Sequence, residues 1–123
     1  MINTARALYQ FFSGFGLPAY AKNNVPDGAE TPYITYEIKR PAPLSKCLLH
    51  AWIWYRGTTM TDVLQKAQEI EAAIGDEGIT LPTPGGFVAL FLDDDTPFAQ
   101  EQSDPDRTLR VLYLTMILHA NTH

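Results

Sequence analysis

Apolar residues recur along this chain in two rhythms, and the rhythm switches at prolines and glycines. Near the start, Ala5, Leu8, Phe12 and Phe15 are spaced three, four and three apart, which sets them on one stripe of a helix. Tyr9 and Phe11 widen the stripe, Asn3 is placed to cap it, and Gly14, Gly16 and Pro18 stop it. A helix is therefore predicted over residues 3–15. Residues 17–32 read as a long connection, because Lys22-Asn23-Asn24 and Pro26-Asp27-Gly28 disfavour regular structure; Pro18-Ala19-Tyr20 is a candidate short extended piece. The period then falls to two. Over Tyr33–Lys39, Ile34, Tyr36 and Ile38 share one face while Thr35, Glu37 and Lys39 share the other, and Pro41 and Pro43 close the strand.

The next strand, Cys47–Arg56, is apolar on both faces. Leu49, Ala51, Ile53 and Tyr55 lie on one side; Leu48, His50, Trp52 and Trp54 lie on the other. Such a strand is central in a covered sheet or buried against another subunit. After Gly57 the helical rhythm returns. Thr59 and Asp62 form a near capping box, Met60, Val63, Leu64, Ala67, Ile70 and Ile74 form the stripe, and Gly75 is placed as the C-terminal cap. Gly78-Ile79-Thr80-Leu81 is expected to be a short strand or turn, and Pro82-Thr83-Pro84-Gly85-Gly86 breaks the chain. Residues 87–92 form another two-sided apolar strand, ended by Asp93-Asp94-Asp95-Thr96-Pro97. Residues 98–106 read as polar loop with an extended start. Residues 108–120 form a long last strand, favoured over a helix by Val111, Tyr113, Thr115 and Ile117.

The expected order is α-β-β-α-(β)-β-β in a single domain spanning residues 1–123. That order describes an α+β fold with a mostly antiparallel four- to five-stranded sheet packed with two helices. Two helices cannot cover both faces of such a sheet, so its surplus of apolar β-surface asks for a partner, and self-association is the economical answer.

Composition narrows the function classes. The formal charge is −5, from 9 basic and 14 acidic side chains, and the basic residues are scattered. Wrapping a phosphate backbone needs clustered Lys and Arg, so sequence-specific nucleic-acid binding is not expected. Cys47 is the sole cysteine, which excludes an internal disulfide and a cysteine zinc site. The most apolar run, residues 109–118, is interrupted by Arg110 and Thr115 and falls far short of a spanning helix, and the start of the chain shows no signal peptide; a soluble protein with no membrane partner is expected.

No residue set reads as a catalytic, cofactor or metal site. Asp93-Asp94-Asp95 lacks the alternate spacing, glycine and distal glutamate of a calcium loop, and reads as a solvated turn. His50, His119 and His123 share no spacing that sets two imidazoles on one metal. Ser13, Ser45 and Ser103 stand in no nucleophile elbow. The Pro82-Thr83-Pro84-Gly85-Gly86-Phe87 segment lacks the lysine, the glycine spacing and the following helix of a phosphate loop, and reads as a loop or hairpin joint. Trp52-Ile53-Trp54-Tyr55 has only Arg56 as a basic neighbour, so it reads as core or subunit-interface packing before a base-stacking platform. A ligand-binding or enzymatic domain would need a pocket that joins two of His50, Asp94, Glu101 and His119.

The string Pro32-Tyr33-Ile34-Thr35-Tyr36 at the start of the first long strand, the aromatic strand after it, the helix beginning near Thr59-Met60-Thr61-Asp62, and the long closing strand together resemble the tail terminator, or tail-completion, proteins of long-tailed bacteriophages and prophages. The resemblance spans most of the chain by order of elements. It implies a structural virion protein, assembled in the host cytoplasm and located at the tail or neck. It also implies self-association into a ring, commonly hexameric, that sits on the last ring of tail tube protein and meets the head-completion protein, with no enzymatic activity and no cofactor. A head-tail connector or minor capsid protein of the neck has a similar order and stands as the alternative.

Overall fold

Alternation along the strands sorts their side chains onto two faces of one sheet, and both helices pack on the same face. The computed structural model describes residues 2–39, 47–57, 59–92, 98–101 and 109–121. The elements are α1 (Ile2–Ser13), β1 (Ala19–Ala21), a 3-10 turn (Lys22–Asn24), β2 (Tyr33–Lys39), β3 (Cys47–Arg56), α2 (Thr61–Ile74), β4 (Ile79–Thr83), β5 (Gly86–Leu92), β6 (Phe98–Glu101) and β7 (Leu109–Asn121).

The expected four- to five-stranded, mostly antiparallel sheet in the order α-β-β-α-(β)-β-β is therefore corrected. Seven strands form one mixed sheet curled into a half-barrel, in the order β1-β2-β3-β7-β5-β4, with β6 added on β7. β1 runs parallel to β2, and every other pairing is antiparallel. Both strands missing from the expected order are short and take their conformation from a neighbour. β1 lies inside what reads as a connection, and Ile34 N–H donates to Pro18 O at 2.9 Å as β2 draws it in. β6 is four residues of mixed polarity, paired with residues 111–114 of β7.

The curl shows in how α1 packs. It lies against β1 at one end of the strand order and against β4 and β5 at the other, so the sheet bends round it. α2 covers the middle, against β3, β7 and β5. Lys66 of α2 ties the two helices together, donating from Nζ to the Phe15 carbonyl at 2.7 Å while pairing with Glu69 at 3.0 Å.

The core is the layer between helices and sheet. Ile34, Ile53 and Leu112 stand in one row across β2, β3 and β7, and Ile38, Leu49 and Met116 in another. Phe12 fills the space above them, fully buried and stacked on Tyr36 at 5.0 Å between ring centres. The first helix turns slightly from its expected stripe. It starts at Ile2, so Asn3 lies inside it, and it buries Thr4, Ala7, Leu8 and Phe12 while Ala5 is exposed. On α2, Val63, Ala67, Ile70 and Ile74 are buried as expected, but Leu64 is exposed. The near capping box does not close. Met60 is the N-cap, and the Thr59 hydroxyl instead accepts from Thr61 N–H at 3.4 Å. Gly75 ends the helix, its N–H donating to Glu71 O at 2.8 Å.

Candidate functional site: the open face of the sheet

β3 and β7 are the central strands, and their second apolar face has no helix over it among the described residues. Register fixes what stands there. Tyr33, Trp54 and Val111 share one row, Thr35, Trp52 and Tyr113 the next, then Glu37, His50 and Thr115, and then Leu48, Ile117 and Phe91. Tyr20 joins from β1 beside Thr35, and His119 pairs with Ala89 near the far end.

This face divides into two halves. In the half near β1, the aromatic side chains cover one another. Tyr20 meets Tyr33 edge to face at 5.8 Å, and Tyr33 stacks on Trp54 at 5.9 Å. The Trp54 indole Nε1–H donates to Thr35 Oγ1 at 2.9 Å, which satisfies a hydroxyl that is itself buried. Trp52 carries the His50 ring at 5.9 Å and the Lys22 ammonium 4.3 Å from its centre. Across β3 and β7, His50 Nδ1 lies 3.5 Å from Thr115 Oγ1, with the donor set by the histidine tautomer. Ring faces already engaged with each other, and with a cation, do not form a bare platform for a base or a sugar.

The other half is more open, although the Phe91 ring meets His119 edge to face at 5.7 Å. Leu48 is 40% exposed, Phe87 39% and Phe91 36%, and Leu48, Ile117 and Phe91 make one continuous apolar row across three strands. Phe91 also lies over Gly78, where a Cβ would sit 2.3 Å from its ring; with φ at +81°, that position takes glycine on both steric and conformational grounds.

The residues weighed in the sequence separate accordingly. Cys47 is buried in the core. His50 and His119 stand on the open face opposite Thr115 and Ala89. Residues 115 and 119 are four apart along β7, about 13 Å at strand rise, so the two imidazoles do not converge. Residues 93–95 and His123 lie outside the described residues. Pro84 and Gly85 form the tight joint of the β4–β5 hairpin between the paired Thr83 and Gly86; Gly85, at φ 77°, supplies the positive φ that this turn needs after a proline. Among the described residues, no group of three His, Cys, Asp or Glu side chains could hold a metal ion.

On the helix side, two open hollows of about 340 and 360 Å³ meet at Ala5 and Tyr36. Burial, and then the charge of nearby Tyr9, push the Tyr36 hydroxyl above its usual 10.0. It is therefore a proton donor throughout the neutral range. Sequence reasoning missed these hollows, because they form where α1 meets β2, two elements far apart in the sequence. No family model matches the chain, and no curated protein is similar to it in sequence.

Proposed function

We propose that this chain is a non-enzymatic structural protein of a phage or prophage virion, a tail terminator that self-assembles as a ring on the tail tube and presents a surface to the head-completion proteins. One observation carries the reading: among the described residues, a sheet with two apolar faces has helices on only one of them, and the other exposes Leu48, Phe87 and Phe91. A soluble chain does not keep such a surface wet without a use for it, and a second copy is the partner always present at equal concentration. The acidic balance supports a role beside DNA in transit, since a lumen of like charge does not retain it. The neck connector remains the alternative within the virion.

Electron microscopy of tails assembled without this protein separates the readings. Overlong tubes are the expected result for a terminator. Tubes of normal length that lack heads would assign the connector role, and intact virions would overturn both.

A further inference from the structure

The helix side of the molecule carries a feature independent of the assembly reading. The two hollows beside α1 and β2 meet at Ala5 and Tyr36, so they form one groove with two different ends. We propose that this groove binds a small amphipathic anion, an alkyl carboxylate of medium chain length, with its acid group at the Arg6 end and its chain at the Ile38 end.

Local structure makes the groove. On α1, Ala5 and Tyr9 stand one turn apart, and Arg6 and Gln10 form the neighbouring ridge. The turn of the helix away from its expected stripe leaves Ala5 exposed, and its single methyl group leaves the hollows open where they meet. At about 340 and 360 Å³, each lies at the lower end of the volumes that take small ligands.

The two ends differ in chemistry. Arg6, Tyr9 and Gln10 line one of them. Arg6 makes no ion pair among the described residues, in contrast to Lys66, which is held by Glu69. Among the described residues, the lining of this end holds a cation and no carboxylate, in a chain whose acids outnumber its bases 14 to 9. A carboxylate seated here gains a charge-assisted bond from the guanidinium, and Gln10 and the Tyr36 phenol add neutral donors. The other end is mainly apolar, lined by Leu8, Ala21 and Ile38. Lys22 and Glu37 also reach it, but they are opposite charges that offset each other, and Lys22 is already held over the Trp52 ring. Asn23 and Asn24 bring only neutral amides. This end therefore offers little to an acid group and more to an alkyl chain, each buried methylene being worth up to about fourfold in affinity.

The test is ligand-observed saturation-transfer NMR on the full chain, which reads monomer and assembly alike, with sodium octanoate, 1-octanol and octylamine as probes. Octanoate is expected to bind with a Kd in the millimolar range, octanol roughly tenfold more weakly, and octylamine more weakly still. Arg6→Gln should bring octanoate down to the octanol level, a loss of roughly tenfold. Ala5→Trp, which fills the join of the two hollows from an exposed helix position, should abolish binding, whereas Ala5→Ser and Leu48→Ser, the latter on the open sheet face, should keep it. Equal binding of octanoate and octylamine would overturn the proposal. So would octanoate binding that survives Ala5→Trp or Arg6→Gln unchanged, and so would the absence of any saturable octanoate signal. Should Ala5→Trp fail to fold by circular dichroism, Arg6→Gln, at an exposed position, decides alone. The terminator reading is decided separately, by tube length in the tails made without the protein.

Discussion

The two faces of this sheet are built by the same strands, residue by alternate residue, yet they solve different problems. On the helix side, Ile34, Leu49, Ile53, Leu114 and Met116 are sealed under Phe12 and Ile70. There every methyl group is held by contacts on all sides, so a change in volume acts directly on stability. On the open side, the half near β1 is sealed by its own aromatic rings and one lysine, and the half near β5 is left more open. Alternating apolar residues thus mark a sealed layer on one face and a partly exposed one on the other; what separates them is where the helices lie.

This contrast can be broken at its strongest point first. Phe12→Ala removes a fully buried ring stacked on Tyr36 and should cost about 3–5 kcal/mol, enough to unfold a domain of ordinary stability, as read by urea denaturation. Gly78→Ala comes next. The added Cβ meets the Phe91 ring at 2.3 Å and the Leu90 carbonyl at 2.7 Å at a positive φ, and a loss of about 1–3 kcal/mol is expected. Combining it with Phe91→Ala should recover only the ring's share, because the backbone strain and the carbonyl clash remain.

Within the open face, Trp54→Phe keeps the ring but removes the hydrogen bond to the buried Thr35 hydroxyl, and should cost about 1 kcal/mol. Thr4→Val tests the reverse case. The Thr4 hydroxyl is fully buried in α1 with no hydrogen-bond partner, so an isosteric methyl should raise stability by up to about 1 kcal/mol. Leu48→Ser should change monomer stability by less than about 0.5 kcal/mol while weakening assembly. If it unfolds the protein instead, the more open half belongs to the core and the distinction between faces fails.

Alkaline pH probes the same contrast from the helix side. Burial first, then the nearby Tyr9 charge, raise Tyr36 above 10.0, and burial is also the main cause that raises Tyr55. The folded state therefore holds these phenolic protons more tightly than the unfolded chain does. The stability this contributes is fully present below 10.0 and is lost as pH rises through the folded values. Tyr36→Phe should flatten the part of the alkaline limb that belongs to Tyr36, as measured by denaturation midpoint against pH.

Much of the local structure was legible in the residues. β2 and β3 have the bounds that their alternation predicts, because period-two patterns flanked by prolines or glycine leave the backbone little choice. The division of β3 into two apolar faces was equally readable, but which of them the helices cover was not. The edges were not. β1 and β6 have too few residues and too little pattern to be strands alone, and exist because β2 and β7 offer unpaired backbone. A further continuity was not legible: Leu92 pairs with Met116 and Phe98 with Leu114, so β5 and β6 lie along one edge of β7.

The chain by itself determined two helical stripes, four of the strands, and the fact that two central strands carry apolar side chains on both faces, because periodicity is a property of neighbouring residues. Only the tertiary structure decided that the sheet has seven strands, that it curls round α1, and that both helices settle on the same side. Those outcomes depend on which backbone edges and which apolar surfaces find each other across long separations in sequence, and no local pattern encodes that choice.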